Sequence, residues 1–252
     1  MATFQPKIEY DNAVATYNAV KIYGKIGSES AVTALNGVSL EVPLGQFLAV
    51  MGPSGSGKST LLHCMAGLDN LTSGNVVIGS TNLNGLSDRQ LTRLRRNSIG
   101  FMFQSFNLLP TLTAEQNIRL PSDLAGSSVD EKWFTTLIDL LGIRDRLKHR
   151  PSELSGGQQQ RVAAARALLS KPTVVFADEP TGNLDSKAGA LLLGFLRSSV
   201  HEHGQTIVMV THDPNAASFA DKAVLLADGQ IIHSIESPTQ KSVLEALETL
   251  GT

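Results

Sequence analysis

The stretch Gly52-Pro-Ser-Gly-Ser-Gly57-Lys58-Ser59 fits the pattern GxxxxGK[ST]. It lies between a continuous apolar run at 47–51 and a segment of helical character at 58–67, the strand–turn–helix setting that the pattern requires. Its glycines let the backbone curl until successive N–H groups point at phosphate oxygens, and the helix beginning near Lys58 adds its positive end. Gly52, Ser54, Gly55, Ser56, Gly57 and Thr60 are therefore candidate phosphate-cradle residues. Lys58 is expected to bridge β- and γ-phosphates, and Ser59 to ligate Mg²⁺.

Around this loop, 14–23, 38–42, 75–78 and 99–103 read as strands, and 88–96 as a helix whose arginines form a solvated face. From 106 to 169 the strand signal disappears, while 114–118, 129–141 and 158–169 suit helices. Strand character returns at 173–177, 206–211, 222–227 and 230–233, with a helix at 186–200, and such alternation implies a parallel α/β core. Near the end, Ser237 as N-cap, Pro238 at the first helical position, and Val243, Leu244, Leu247 and Leu250 on one face before Gly251 describe an amphipathic packing helix. Residues 1–12 read as a flexible extension, because charges and a proline stand where a secretion signal needs an apolar core.

The run Val174-Val175-Phe176-Ala177 delivers Asp178 and Glu179 at its C-terminal edge, where open α/β sheets bind ligands. Asp178 is placed to hold the magnesium shell. Glu179 is placed to orient or deprotonate an attacking water. A second buried strand ends on His212, whose imidazole can hydrogen-bond a γ-phosphate. His63, His149, His201, His203 and His233 have no such setting and read as structural or solvated.

Composition narrows the partners. A net charge of −2 leaves no basic excess for neutralising a nucleic-acid backbone, so no nucleic-acid partner is expected. The single Cys64 falls in an apolar run and reads as a buried structural thiol in a reducing compartment. No apolar stretch approaches the ~18 residues that a bilayer crossing needs, so membrane contact would go through a partner.

Leu154-Ser155-Gly156-Gly157-Gln158 reproduces the LSGGQ signature of ABC ATPases. Ser155, Gly156 and Gly157 stand at the start of the predicted helix from Gln158, so a hydroxyl and bare N–H groups form a second anion site. The chain thus resembles that family, with an NKxD guanine motif absent. By the resemblance, two subunits assemble head to tail, and the signature of one closes over the ATP held by the other's phosphate loop. Tyr23 looks like the aromatic that stacks on adenine. Gln104 looks like the glutamine that joins the core to the helical insert and reaches the metal. Asn183-Leu184-Asp185 resembles the loop that crosses the dimer interface.

Within the family, Phe106-Asn-Leu-Leu-Pro110, the stretch from Glu153 to Arg161, the stretch from Ala177 to Ser186 and Val208-Met-Val-Thr-His-Asp-Pro214 resemble the MacB/LolD/FtsE group, over about residues 17–234. The resemblance implies a P-loop NTPase of ABC type: a RecA-like parallel-sheet core at about 13–104 and 171–235, with an antiparallel β subdomain. A helical signature subdomain at 105–170 and a C-terminal helix at 237–251 complete it. It implies ATP and Mg²⁺ as ligands, a second copy as partner, and a permease docking on the helical subdomain near 104–124, where Ser122-Asp123 departs from the group's usual apolar character. The expected place is the cytoplasmic face of the membrane, and the expected work is substrate extrusion. An FtsE-like regulatory ATPase acting on a cell-envelope enzyme is the alternative.

Overall fold

A computed structural model describes residues 11–25, 28 and 30–249. The extension expected at 1–12 lies outside the described residues up to residue 10, and Asn12 already opens a strand. The elements are β1 (Asn12–Tyr23), β2 (Val32–Pro43), β3 (Phe47–Met51), α1 (Lys58–Met65), β4 (Ser73–Ile78), β5 (Thr81–Asn82), α2 (Asp88–Ser98), β6 (Ile99–Met102), α3 (Ala114–Ala125), α4 (Glu131–Leu140), α5 (Gly156–Leu168), β7 (Val174–Asp178), α6 (Ser186–His203), β8 (Ile207–Val210), α7 (Pro214–Ala217), β9 (Lys222–Ala227), β10 (Gln230–Glu236) and α8 (Gln240–Glu248).

Two sheets result. One is antiparallel, in the order β2-β1-β4-β5; the other runs β10-β9-β3-β8-β7-β6. In the second, β3, β6, β7, β8 and β9 are parallel, and β10 closes the edge antiparallel to β9.

The runs FLAVM, VVFA and IVMV are uninterrupted by polar residues because the parallel sheet is covered on both faces. Successive side chains point to opposite sides. Phe47, Ala49, Met51, Val175, Ala177, Ile207 and Met209 enter a core shared with α3, α4, α5 and α6. Leu48, Val50, Val174, Phe176, Val208 and Val210 enter a second core shared with α1 and the antiparallel sheet. Because the strands are parallel and paired in register, with Val50 beside Val210 and Asp178 beside Val210, the ends of β3, β7 and β8 share one edge.

Several expected boundaries change, three of them with a clear physical reason. The helix expected at 114–118 continues to Ala125 with Pro121 inside it, so Ser122 is buried in α3. The helix expected from Gln158 starts two residues earlier, at Gly156. The last helix is capped by Thr239, which exchanges hydrogen bonds with Ser242, and not by Ser237. Ser237 has φ 49°, left-handed where an N-cap needs extended backbone. Leu250 and Gly251 lie outside the described residues. Cys64 is buried as expected, and burial pushes its thiol up to about 11.

Candidate functional site

The loop between β3 and α1 has the backbone that its glycines allow. Gly52 (φ 143°) and Gly57 (φ 101°) are both left-handed, and both lie against other backbone. A Cβ on Gly52 would sit 2.0 Å from the Leu226 carbonyl oxygen, and one on Gly57 would sit 2.2 Å from that of Ala34. Gly57 precedes the first residue of α1 and offers no side chain as a cap, leaving the helix's first N–H groups facing the loop. Lys58 Nζ donates to the Pro53 carbonyl at 2.7 Å, which folds the side chain across the cradle. Burial lowers the Lys58 ammonium from its ordinary value, against the opposing pull of the Glu179 and Asp178 carboxylates.

Those carboxylates arrive from β7. Ser59 Oγ donates to Asp178 Oδ1 over 3.4 Å, so a hydroxyl of the loop helix and a carboxylate of the sheet converge. His63 Nε2 lies 3.9 Å from the other oxygen of Asp178. His63, read from the sequence as structural or solvated, is thus a partly exposed neighbour of Asp178.

Glu179 has φ 48°, an uncommon conformation for a residue with a side chain. Its backbone N–H donates to the Val210 carbonyl at 3.0 Å, and Oε1 lies 2.8 Å from His212 Nδ1. Glu179 is mostly enclosed, at 18% side-chain exposure, while His212 stands at 73%. The imidazole thus presents its remaining edge outward. The other histidines stand elsewhere: His201 faces Asp221, and His203 lies edge-on to Trp133.

The signature segment is organised by a capping box. Ser155 Oγ accepts from the Gln158 N–H at 3.3 Å, and Gln158 Oε1 accepts from the Ser155 N–H at 2.9 Å. Gln158 therefore serves the helix start, while the N–H groups of Gly156 and Gly157 stand in the first turn of α5. Asp185 likewise caps α6, accepting from the Ala188 N–H at 2.9 Å. Asn183 Nδ2 donates to the Gln104 carbonyl at 2.9 Å, which ties the turn after β7 to the segment after β6. Arg166 Nη1 and Nη2 hold the carbonyls of Asn107 and Phe106, two left-handed residues at the entry to the helical region.

At the rim of the loop, the Tyr23 hydroxyl donates to Asp69 Oδ2 at 2.8 Å, and Lys21 Nζ lies 4.8 Å from the ring centroid. Burial raises the phenol above its ordinary value; the Thr60 hydroxyl opposes this and the Asp69 carboxylate adds to it. On another face, an open and largely apolar groove of about 460 Å³ is lined by Leu68, Phe101, Phe103, Leu120, Pro121 and Leu124, with Arg95 and Arg96 beside it. Its floor includes the Phe101 and Phe103 rings, stacked at 4.2 Å between centroids. Among the described residues no helix is long and apolar enough to cross a membrane.

Comparison with known proteins gives this geometry a family. Residues 35–182 match the model of the ABC transporter family. An uncharacterized ABC transporter ATP-binding protein of Thermotoga maritima is 49% identical over 81% of this chain and 87% of its own length. The macrolide export ATP-binding/permease protein MacB of Brucella melitensis is 45% identical over 80% of this chain, which spans 31% of that longer protein. Among solved structures, the dimeric post-hydrolysis form of the ATP-binding cassette MJ0796 of Methanocaldococcus jannaschii, bound to ADP and Pi, is 41% identical over 89% of this chain and 98% of that one, with a TM-score of 0.80. The chain belongs to the ABC transporter ATP-binding family and is an ATP hydrolase of the ABC type.

Proposed function

We propose that this ATPase works as a head-to-tail dimer that drives a MacB-like permease in substrate extrusion from the cytoplasmic face of a membrane. The observation that carries the catalytic half is the convergence of Lys58, Ser59, Asp178, Glu179 and His212 at one sheet edge. In this reading the N–H groups of 52–60 and the Lys58 ammonium hold the β- and γ-phosphates of ATP. Tyr23 lies against the adenine. Glu179 takes a proton from the attacking water, and His212 fixes the carboxylate and faces the γ-phosphate. The Ser59 hydroxyl and the Asp178 carboxylate form an all-oxygen set that suits a small hard cation, and Gln104 adds an amide oxygen. When bound, Mg²⁺ neutralises charge on the phosphates.

Ser155, exposed at the start of α5, closes with Gly156 and Gly157 over the second copy's nucleotide, with Asp185 at the crossing loop; the dimeric form of the cassette MJ0796 supports this pairing. The apolar groove beside α2 and α3 receives a permease segment, and the union of ATP-binding and permease parts in the MacB relative supports that occupant. The test is Glu179→Gln. It should bind ATP normally, form an ATP-dependent dimer by light scattering, and lose nearly all turnover; wild-type hydrolysis refutes the assignment. Purified from native membranes with ATP, the same variant should bring down a few-helix permease with an extracytoplasmic domain. Soluble partners alone overturn the membrane half and leave the ATPase half standing.

A further inference from the structure

Gln160 is the fifth residue of α5 and is wholly buried. Its Nε2 donates to the Pro180 carbonyl at 2.7 Å, while its Oε1 is enclosed with no hydrogen-bond partner among the described residues. Core packing does not explain this residue, because methionine fills a similar volume without enclosing an unpaired acceptor. What the amide supplies is one directed link between the helix that begins at the signature and the carbonyl immediately after Glu179.

That carbonyl belongs to a turn held from several sides. Glu179 is left-handed and precedes a proline, a position that favours extended backbone, so its conformation is imposed by its neighbours. Its N–H is held by the Val210 carbonyl and its own carbonyl by the Gly182 N–H, each at 3.0 Å. The start of α5 rests on the same segment: a Cβ on Gly156 would lie 3.7 Å from the Asn183 carbonyl oxygen, and one on Gly157 would lie 3.1 Å from Ala188 Cβ.

We propose that Gln160 is a positioning residue for hydrolysis, which transmits the placement of the signature end of α5 to Glu179 of the same chain. The inference rests on the proposed roles of Glu179 and the signature. When the Ser155 end of α5 engages the second copy's nucleotide, α5 shifts as a rigid rod. The buried hydrogen bond carries that shift to Pro180, and so to the carboxylate one residue before it. Each chain's water-activating group is thereby set by the nucleotide occupying the other half-site.

The experiment compares wild type, Gln160→Met, Glu179→Gln and the double variant. Gln160→Met should lower kcat about tenfold with KM for ATP within twofold. The double variant should form the ATP-dependent dimer as Glu179→Gln alone does. A wild-type kcat in Gln160→Met overturns the proposal, and so does a loss shared equally by kcat, KM and ATP-driven dimerisation, which marks mere structural damage. If Glu179→Gln itself hydrolyses ATP normally, the reading of Glu179 has failed and the inference falls with it. Should Gln160→Met not fold, Gln160→Glu keeps the volume and removes the donor when ionised, and the same kcat and KM criteria apply.

Discussion

Glu179 Oε1 and His212 Nδ1 lie 2.8 Å apart although they follow different strands. The pairing comes from register: Asp178 sits beside Val210 in the parallel ladder, so the residues just beyond β7 and β8 meet at the sheet edge. A carboxylate held by an imidazole loses little freedom when it must align a water, and alignment is what a general base contributes. The far edge of the ring stays exposed.

His212→Ala should therefore lower kcat by about 10²-fold while KM for ATP changes little, since the proposed phosphate cradle, the 52–60 loop, is left untouched. Steady-state hydrolysis measures both constants. An unchanged kcat removes His212 from the catalytic group and leaves Glu179 to be held by its backbone contacts alone.

The ion pair at the rim gives a pH-dependent prediction. Burial pulls the Asp69 carboxyl up, but the Lys21 ammonium, the Tyr23 hydroxyl and the Asn70 N–H more than offset it, leaving a net lowering. A carboxyl depressed on folding adds stability that is present above its unfolded value and lost as pH falls through the folded one. Lys21→Met should cost about 0.5–1 kcal/mol at pH 7, allowing for partial exposure of the pair. At an acid pH below the folded value of Asp69 the difference should be smaller, reduced to what the Lys21 hydrogen bond to the Asn70 carbonyl contributes. Urea titrations at the two pH values read it directly.

Much of the site was legible because its parts sit at the ends of buried parallel strands. Such strands read as unbroken apolar runs, and the residues that follow them, Gly52, Asp178 and His212, must reach the same edge. What the sequence hid was held by side-chain hydrogen bonds. Gly156 and Gly157 have poor helix propensity, which argues for a later start, but the Ser155 and Gln158 cap draws the start of α5 two residues back. Ser237 and Pro238 resemble a helix start, yet the Ser237 N–H is taken by the Asp221 carbonyl at 2.8 Å and the chain turns left-handed there. Pro121 argues for an earlier end to α3, but its ring lies at the groove and the helix continues around it. The contact between His63 and Asp178 needs α1 to dock on β7, a tertiary fact that helical spacing alone does not carry.

Cys64 should behave as an inert thiol. With its value pushed up to about 11 by burial, only ~10⁻³ of it is thiolate at pH 8, and the side chain is enclosed. A maleimide or disulfide reagent should leave the native protein unlabelled over the time in which the urea-unfolded chain reacts fully. Rapid labelling of the folded protein would mean that α1 opens locally.

The glycines of the phosphate loop separate two physical requirements that sequence alone merges. Gly52, Gly55 and Gly57 all have positive φ, so an alanine at any of them costs about 1 kcal/mol in backbone strain. Only Gly52 and Gly57 also lie against backbone, where a new Cβ would stand 2.0 and 2.2 Å from carbonyl oxygens that cannot swing away as a side-chain tip would. Around Gly55 a Cβ meets nothing within 4 Å. Gly55→Ala should thus keep a measurable ATP affinity and lose about 1 kcal/mol of stability. Gly57→Ala should lose more than 2 kcal/mol and displace the first turn of α1 together with Lys58 and Ser59, abolishing nucleotide binding. Thermal unfolding with and without ATP checks both at once. The ligand-induced rise in Tm should survive in Gly55→Ala and disappear in Gly57→Ala, and equal behaviour of the two variants would show that left-handed backbone alone, without the close approach, governs the loop.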